Sequence, residues 1–504
     1  AATELEEVLG AVRVCRAEAR APALANPHAA NVVMEDVTAL WSRRWPSDAR
    51  DPPEAWERVE WVRHAAKRAF LSLVPRSAAE AWSETSASPL ARRRAAASLV
   101  RSAKGMRRAG EMRSAYDRLA RAKAALTEGL GSTPPPVQDS WLVQKAVCKL
   151  RLAQADAPRA WGVDGARAAR EESDRARAEL LRGVLRSLRR VREEGSLGAY
   201  PHLEAEAAAC VGAIASRLAR LEAVEAGGSE PVFGSDSLDE LARVEYARAA
   251  TLAERRSRET SAGRSDAARA AAKASLRLAS HCEAMLCARE ASALGDAAEA
   301  ALGGASFPPA SAALDATAAA AFHPEGLEPT LVRHALLALA GGAGARARHL
   351  VPRVLASLRG DGGARDAPET ERGSVSDETE RLDGKREASN RASGAGRFAA
   401  AAAEFARLAP RVPSWLFLEW LPQLYSLLDA PGPGGDAALA VVERLASSYP
   451  SAAYAQHRAA RAEFSRVGAA RRARRLDATL ASPAGEAFAR AVTLLDFPAQ
   501  RLAW

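Results

Sequence analysis

The stretch that decides the fold runs from Val412 to Arg458, VPSWLFLEWLPQLYSLLDAPGPGGDAALAVVERLASSYPSAAYAQHR. It reads as a pair of helices. The first, from about Ser414 to Leu428, is apolar on nearly every side, with Trp415, Leu416, Phe417, Leu418, Trp420, Leu421, Leu424 and Tyr425 in close succession. A helix apolar all round is enclosed by protein or by lipid. A run of about fifteen residues interrupted by Glu419 and Pro422 is too short to cross a bilayer, so a core helix is expected, with both tryptophans buried. Asp429 and the Pro-Gly-Pro-Gly-Gly run at 431–435 stop it, through missing N–H groups and free glycine dihedrals. Asp436 is expected to cap a second helix carrying Leu439, Val442 and Leu445, which Tyr449-Pro450 ends.

Composition agrees with a helical chain. The 504 residues are 48% hydrophobic and 26% charged, as in a globular protein. The apolar share is mostly alanine and leucine, with a single isoleucine, Ile214. Strands draw on β-branched and aromatic residues, so an all-α protein is expected. The formal charge of +9 invites a nucleic-acid reading, but only seven of the 71 basic residues are lysine, and arginines recur among alanines along almost every helix. That pattern reads as a solvated basic surface rather than a dedicated site, and direct DNA binding is not expected. The five cysteines form no CxxC spacing and read as reduced thiols. No run of 18 apolar residues and no signal-peptide pattern is present, so no membrane association is expected. The chain begins Ala-Ala-Thr, without methionine, and its ends read as cut rather than natural.

Working outward, helix pairs recur along the whole chain. Ala109-Gly110-Glu111 sits between two helical runs where glycine can take a left-handed turn, with Ala115 and Leu119 as the small and large residues of a close helix contact. Asp139-Ser140-Trp141-Leu142-Val143 opens the next helix after three prolines at 134–136. Two long helices meet at Glu194-Gly195-Ser196; the first is expected to bury Leu181, Leu185, Leu188 and Val191, the second Leu203, Val211, Ile214, Leu218 and Leu221. Further pairs are expected over 237–258 with 267–291, and over 327–339 with 345–358 across Gly341-Gly342. Such a sequence of short connections suits a stack of tetratricopeptide-like units, whose repeat is about 34 residues. Residues 360–393 are too polar to offset the entropy of ordering and read as a disordered insertion. The organisation is therefore 1–359, an α-solenoid of antiparallel helix pairs; 360–393, the polar insertion; and 394–504, C-terminal helix pairs.

No catalytic, cofactor-binding or metal-ligating residue emerges. His281, Cys282 and Cys287 form the strongest metal-like cluster, but residues 282 and 287 lie about 140° apart on a helix, so a core-facing Cys282 is the simpler reading. His334 and His349 read as core or exposed residues rather than ligands. The glycines at 431–435 and 341–344 lack the strand and lysine of a phosphate loop and read as turns. Trp415 and Trp420 could be a ligand-stacking pair, but their apolar setting favours core. Ser374, Ser376 and Thr379, in an acidic run, are accessible phosphate acceptors or part of an unmodified solubilising loop.

The order of several motifs resembles the FAT region of the phosphatidylinositol 3-kinase-related protein kinases, and within that family its DNA-dependent branch. The residues that carry it are Leu40-Trp41, Trp45-Pro46, Asp51-Pro52 and Trp56 near the start, the helix pairs over 101–152, Trp141, the helix over 276–282, the pair over 327–358, and then Pro413, Trp415, Trp420-Leu421-Pro422-Gln423-Leu424, Leu427-Leu428-Asp429, Tyr449-Pro450 and the closing Trp504. The resemblance implies a FAT solenoid that clamps, scaffolds and regulates a following Ser/Thr kinase domain, its intramolecular partner. It further implies a nuclear parent that uses ATP and magnesium and joins the Ku heterodimer at DNA ends in double-strand break repair by non-homologous end joining. The chain itself holds no Asp-Arg-His followed by Asn and no Asp-Phe-Gly, so no kinase chemistry is expected within it and no cofactor. No Ser-Gln or Thr-Gln, the dipeptide such kinases favour, occurs in it either. The alternatives are a free-standing tetratricopeptide-like interaction scaffold and the FAT region of the family's kinase-inactive transcription adaptor.

Overall fold

Alanine, leucine and arginine are strong helix formers, and a chain built from them satisfies its backbone groups within each segment. The computed structural model describes residues 58–59, 61–63, 65–66, 89–127, 135–156, 167–194, 196–225, 238–259, 264–301, 326–359, 396–430, 432–461, 467–481, 486–487 and 490–491. Helices make up almost all of these and no strand occurs among them, so the all-α expectation holds. The expected Leu40–Trp56 motifs, the 360–393 insertion with Ser374, Ser376 and Thr379, and Trp504 lie outside the described residues.

The chain divides into two compact units, Ala1–Pro231 and Val232–Trp504. The first unit contains α1 (Pro89–Arg108), α2 (Met112–Thr127), α3 (Val137–Ala155), α4 (Arg167–Glu194) and α5 (Pro201–Glu225). Each helix packs on the next, and α3 also packs on α1 and α5. The α1–α2 turn forms as its residues predict: Gly110 has φ +90°, its N–H bonds to the Arg107 carbonyl (3.3 Å), and Glu111 N–H reaches back to Met106 (2.9 Å). Those two bonds are the 6→1 and 5→2 closures of a Schellman motif, which needs the left-handed residue that glycine supplies. Ala115 and Leu119 face Ala103, Met106 and Leu150 in the hairpin's core. On α4 and α5, Leu181, Leu185, Leu188, Leu203, Val211, Ile214 and Leu218 are buried as expected, whereas Val191 is only half-buried and Leu221 likewise. Both stand within a turn or so of a helix end, where fewer neighbours cover them.

A polar contact locks α3 onto α5. Trp141 is buried, and its indole N–H donates to Glu206 Oε2 (3.0 Å) while Lys145 Nζ sits 2.5 Å from the other oxygen. Burial pushes the Glu206 carboxyl up, yet the lysine and the indole together hold it below the usual carboxylate range.

The second unit contains α6 (Leu238–Glu259), α7 (Arg264–Ala301), α8 (Leu327–Ala338), α9 (Val351–Ala356), α10 (396–408), α11 (Leu421–Leu427), α12 (Pro433–Ser448), α13 (Pro450–Ala460) and α14 (Val467–Leu480). Helix α7 packs against both α6 and α8. The Gly341-Gly342 joint is a wide helical turn, Leu339–Ala343, kinked at Gly342, which has φ +90°. At Gly341 a side chain would not fit, because an added Cβ would lie 2.7 Å from the Ala272 methyl of α7.

Candidate functional site

The segment from Val412 to Leu480 is tied together by several long-range polar links, and it departs from the simple helix pair that its sequence suggests. Residues Ser414–Trp420 form a 3-10 helix, and an α-helix begins only at Leu421. Pro422 accounts for the break, since it has no N–H to return to Leu418 and is at home in the first turn of a helix. Leu421 N–H bonds to the Leu418 carbonyl instead. Leu416 and Phe417 turn inward, Phe417 packing edge-on to Phe405 of α10 at 6.1 Å between ring centroids.

Trp415 does not join them. It is 50% exposed, with the Arg348 guanidinium lying over its ring at 5.5 Å and Glu419 3.7 Å from that same arginine. Trp420 is only half-buried. The expectation of two core tryptophans is thus wrong for Trp415. Glu419, Pro422 and Ser426 are exposed as well.

Asp436 is not the cap of α12 either. Gly432, with φ +80°, holds that position and Pro433 begins the helix. Asp436 instead accepts a bond from Arg472 Nε of α14 at 2.9 Å. The same guanidinium donates to the carbonyls of Leu428 (2.8 Å), Ala430 (2.9 Å) and Gly432 (3.2 Å), the backbone acceptors left over where α11 ends. A planar fork of five N–H donors suits such a cluster, and a lysine could not span it. Two glycines make room: a Cβ on Gly435 would sit 2.5 Å from Arg472 Nη1, and one on Gly434 would meet the Leu358 carbonyl at 2.0 Å. The glycines at 431–435 therefore serve partly as a turn and partly as the close-approach face of α12.

A second polar link joins α11, α13 and α14. The Tyr425 hydroxyl donates to the Ala453 carbonyl (3.2 Å), and burial raises its phenol above the ordinary range. Its ring lies 5.8 Å from that of His457, which is buried and meets Asp477 Oδ1 at 2.8 Å, while Arg461 takes Asp477 Oδ2 at 3.1 Å. Tyr449, between α12 and α13 with φ −139°, ends the one and opens the other, as its Tyr-Pro dipeptide predicts.

The other singled-out residues are not brought together. Cys282 is fully buried, with its thiol pushed up to about 12 by burial; Cys287 is exposed; and His281 turns to the Asp239 carbonyl (3.1 Å) and the Tyr246 ring. Among the described residues no group of three or more His, Cys, Asp or Glu side chains could hold a metal ion. His334 Nδ1 lies 3.4 Å from Ser275 Oγ, but the serine is buried and burial lowers the imidazole to about 4. His349 is exposed, with Nδ1 2.7 Å from the Arg346 carbonyl and Nε2 3.9 Å from Glu283. What the segment does offer is a rigid framework with one tryptophan and its arginine on the outside.

No protein-family model matches the chain, and no curated protein matches it. Fold and site together define an all-α protein of packed helix pairs, and among the described residues no helix is long and apolar enough to cross a membrane.

Proposed function

We propose that the chain is a FAT-type α-solenoid that scaffolds and regulates a Ser/Thr kinase domain, closest to the corresponding region of the catalytic subunit of the DNA-dependent protein kinase. The observation that carries this reading is the order of motifs over the chain, ending in Trp420-Leu421-Pro422-Gln423-Leu424 and Tyr449-Pro450. The packing supports it at the points where the motifs fall on described residues. Pro422 restarts the helix, Tyr425 ties α11 to α13, and Tyr449-Pro450 marks the α12–α13 joint. Successive packed helix pairs also suit a quasi-one-dimensional stack, whose curvature can relay movement between its ends. On this reading the chain's role is mechanical, its parent acts in the nucleus at DNA ends together with the Ku heterodimer, and ATP and magnesium belong to the kinase domain.

The test is to read the coding sequence beyond Trp504. A segment with Asp-Arg-His, a following Asn and Asp-Phe-Gly is the expected result. The same segment with those residues lost would shift the reading to the kinase-inactive adaptor. A stop codon within a few dozen residues would overturn it in favour of a free-standing interaction scaffold.

A further inference from the structure

The chain's positive charge is not spread evenly. Residues 89–127, the α1–α2 hairpin, contain eleven lysines and arginines against two carboxylates, Glu111 and Asp117. The hairpin alone therefore carries +9, equal to the formal charge of the whole chain, and all the other residues balance to zero. We propose that this hairpin is a docking face for the phosphate backbone of double-helical nucleic acid, bound without regard to base sequence.

The arrangement favours that partner in three ways. On α1, Arg101, Lys104 and Arg108 are exposed at i, i+3 and i+7, a row of about 10 Å at 1.5 Å per residue, in line with Arg93 two turns earlier, whose Nε lies 2.8 Å from Asp139 Oδ1 of α3. Arg113 and Arg121 of α2 are exposed as well. A duplex presents about one negative charge per 1.7 Å of axis, a regular lattice that a straight, fixed row of cations can match. The row is fixed because Arg118 Nε donates to the fully buried Ser102 hydroxyl at 2.6 Å, pinning α2 to α1 beneath the Schellman turn. Between the cations the exposed positions are small, Ala97 and Ser98. Acidic protein partners bind mainly through apolar and aromatic anchors, and single strands through stacking platforms. Tyr116 is the large exposed apolar residue described on this hairpin, and Arg151 already lies over its ring at 5.1 Å. One like charge lies close to this face: after burial, the neighbouring Arg63 also lowers the Arg101 guanidinium below its usual range. A polyanion relieves that repulsion. This face does not depend on the kinase-family reading, since a scaffold without any kinase could carry it equally well.

The experiment measures binding of the full chain to a fluorescent 30-base-pair duplex of arbitrary sequence, by anisotropy, as salt is varied. With about six phosphate contacts, affinity is expected to fall roughly 10³-fold between 50 and 200 mM salt. The triple variant R101Q/K104Q/R108Q is expected to weaken binding at least about tenfold and to reduce the slope of log K against log salt by about 2–3. R113Q/R121Q, on the other helix, gives an independent reading if the first variant fails to fold. R255Q/R258Q/R269Q removes the same charge from exposed positions of α6 and α7 and is expected to bind like the wild type. Three results would each overturn the proposal: no duplex binding at 50 mM salt, equal losses in the α1 and α6–α7 variants, or poly-glutamate or a single strand of equal charge binding more tightly than the duplex.

Discussion

The α1–α2 hairpin and the α11–α14 segment use arginine in opposite ways. In the hairpin, a core of Ala103, Met106, Ala115, Leu119 and Leu150 does the packing, and apart from Arg118, held by Ser102, and Arg93, paired with Asp139, most of the described cations are exposed. In the later segment, arginines are consumed by the fold: Arg472 closes the end of α11, Arg475 meets Glu443 at 2.8 Å and Arg461 meets Asp477. The same residue type therefore builds a surface in one place and a joint in the other. Which of these it does depends on whether backbone carbonyls and carboxylates from distant parts of the chain converge on it.

The contrast can be broken by substitution, and the largest effect belongs to the packed region. Phe417→Ala removes a ring that is 1% exposed and is expected to cost about 3–5 kcal/mol in denaturant unfolding. Arg472→Ala strips donors from the part-buried carbonyls of Leu428 and Ala430 and from the exposed Gly432 carbonyl and Asp436, at a cost of about 1–3 kcal/mol. Gly435→Ala collides with the same guanidinium, so the double variant should cost clearly less than the sum of the two singles. Additive losses would mean that Gly435 and Arg472 act separately. Next comes pH. Because burial lowers His334 to about 4, the unfolded chain binds a proton that the folded chain refuses between pH 6.5 and 4. Its contribution is intact above about pH 6.5 and is lost as pH falls towards 4, on the order of 2 kcal/mol, and His334→Gln should flatten that part of the profile. The smallest effect is expected in the hairpin, where R101Q/K104Q/R108Q should shift stability by less than about 0.5 kcal/mol at moderate salt and raise it slightly at low salt, since like charges are being removed. A loss above about 2 kcal/mol there would make those residues part of the joint rather than of the surface.

Much of this was legible in the residues. The Gly110 turn, the Ala115–Leu119 contact and the Tyr449-Pro450 joint all follow from local chemistry and are found as expected. Trp415 was misplaced because the apolar residues around it suggested burial on every side. At α-helical spacing Trp415 falls in line with Glu419, Pro422 and Ser426, all of them exposed, and that signal was available in the residues. The hairpin's charge was likewise hidden by averaging over the chain, and a windowed count of charges reveals it. The role of Arg472 was not legible at all. Its acceptors lie 36 to 44 residues earlier, and nothing local sets it apart from Arg471 or Arg474 in an arginine-rich helix.

The central claim is that the Val412–Leu480 segment is a packed framework and not a tryptophan-lined pocket. Native-state hydrogen exchange of the α11 and α12 amides in Phe417→Ala and Trp415→Ala tests this most directly. The packed framework predicts exchange faster by about 10²–10³ in Phe417→Ala, corresponding to about 3–4 kcal/mol, and within about fivefold of wild type in Trp415→Ala. Equal acceleration in both variants, or a larger one in Trp415→Ala, would contradict it.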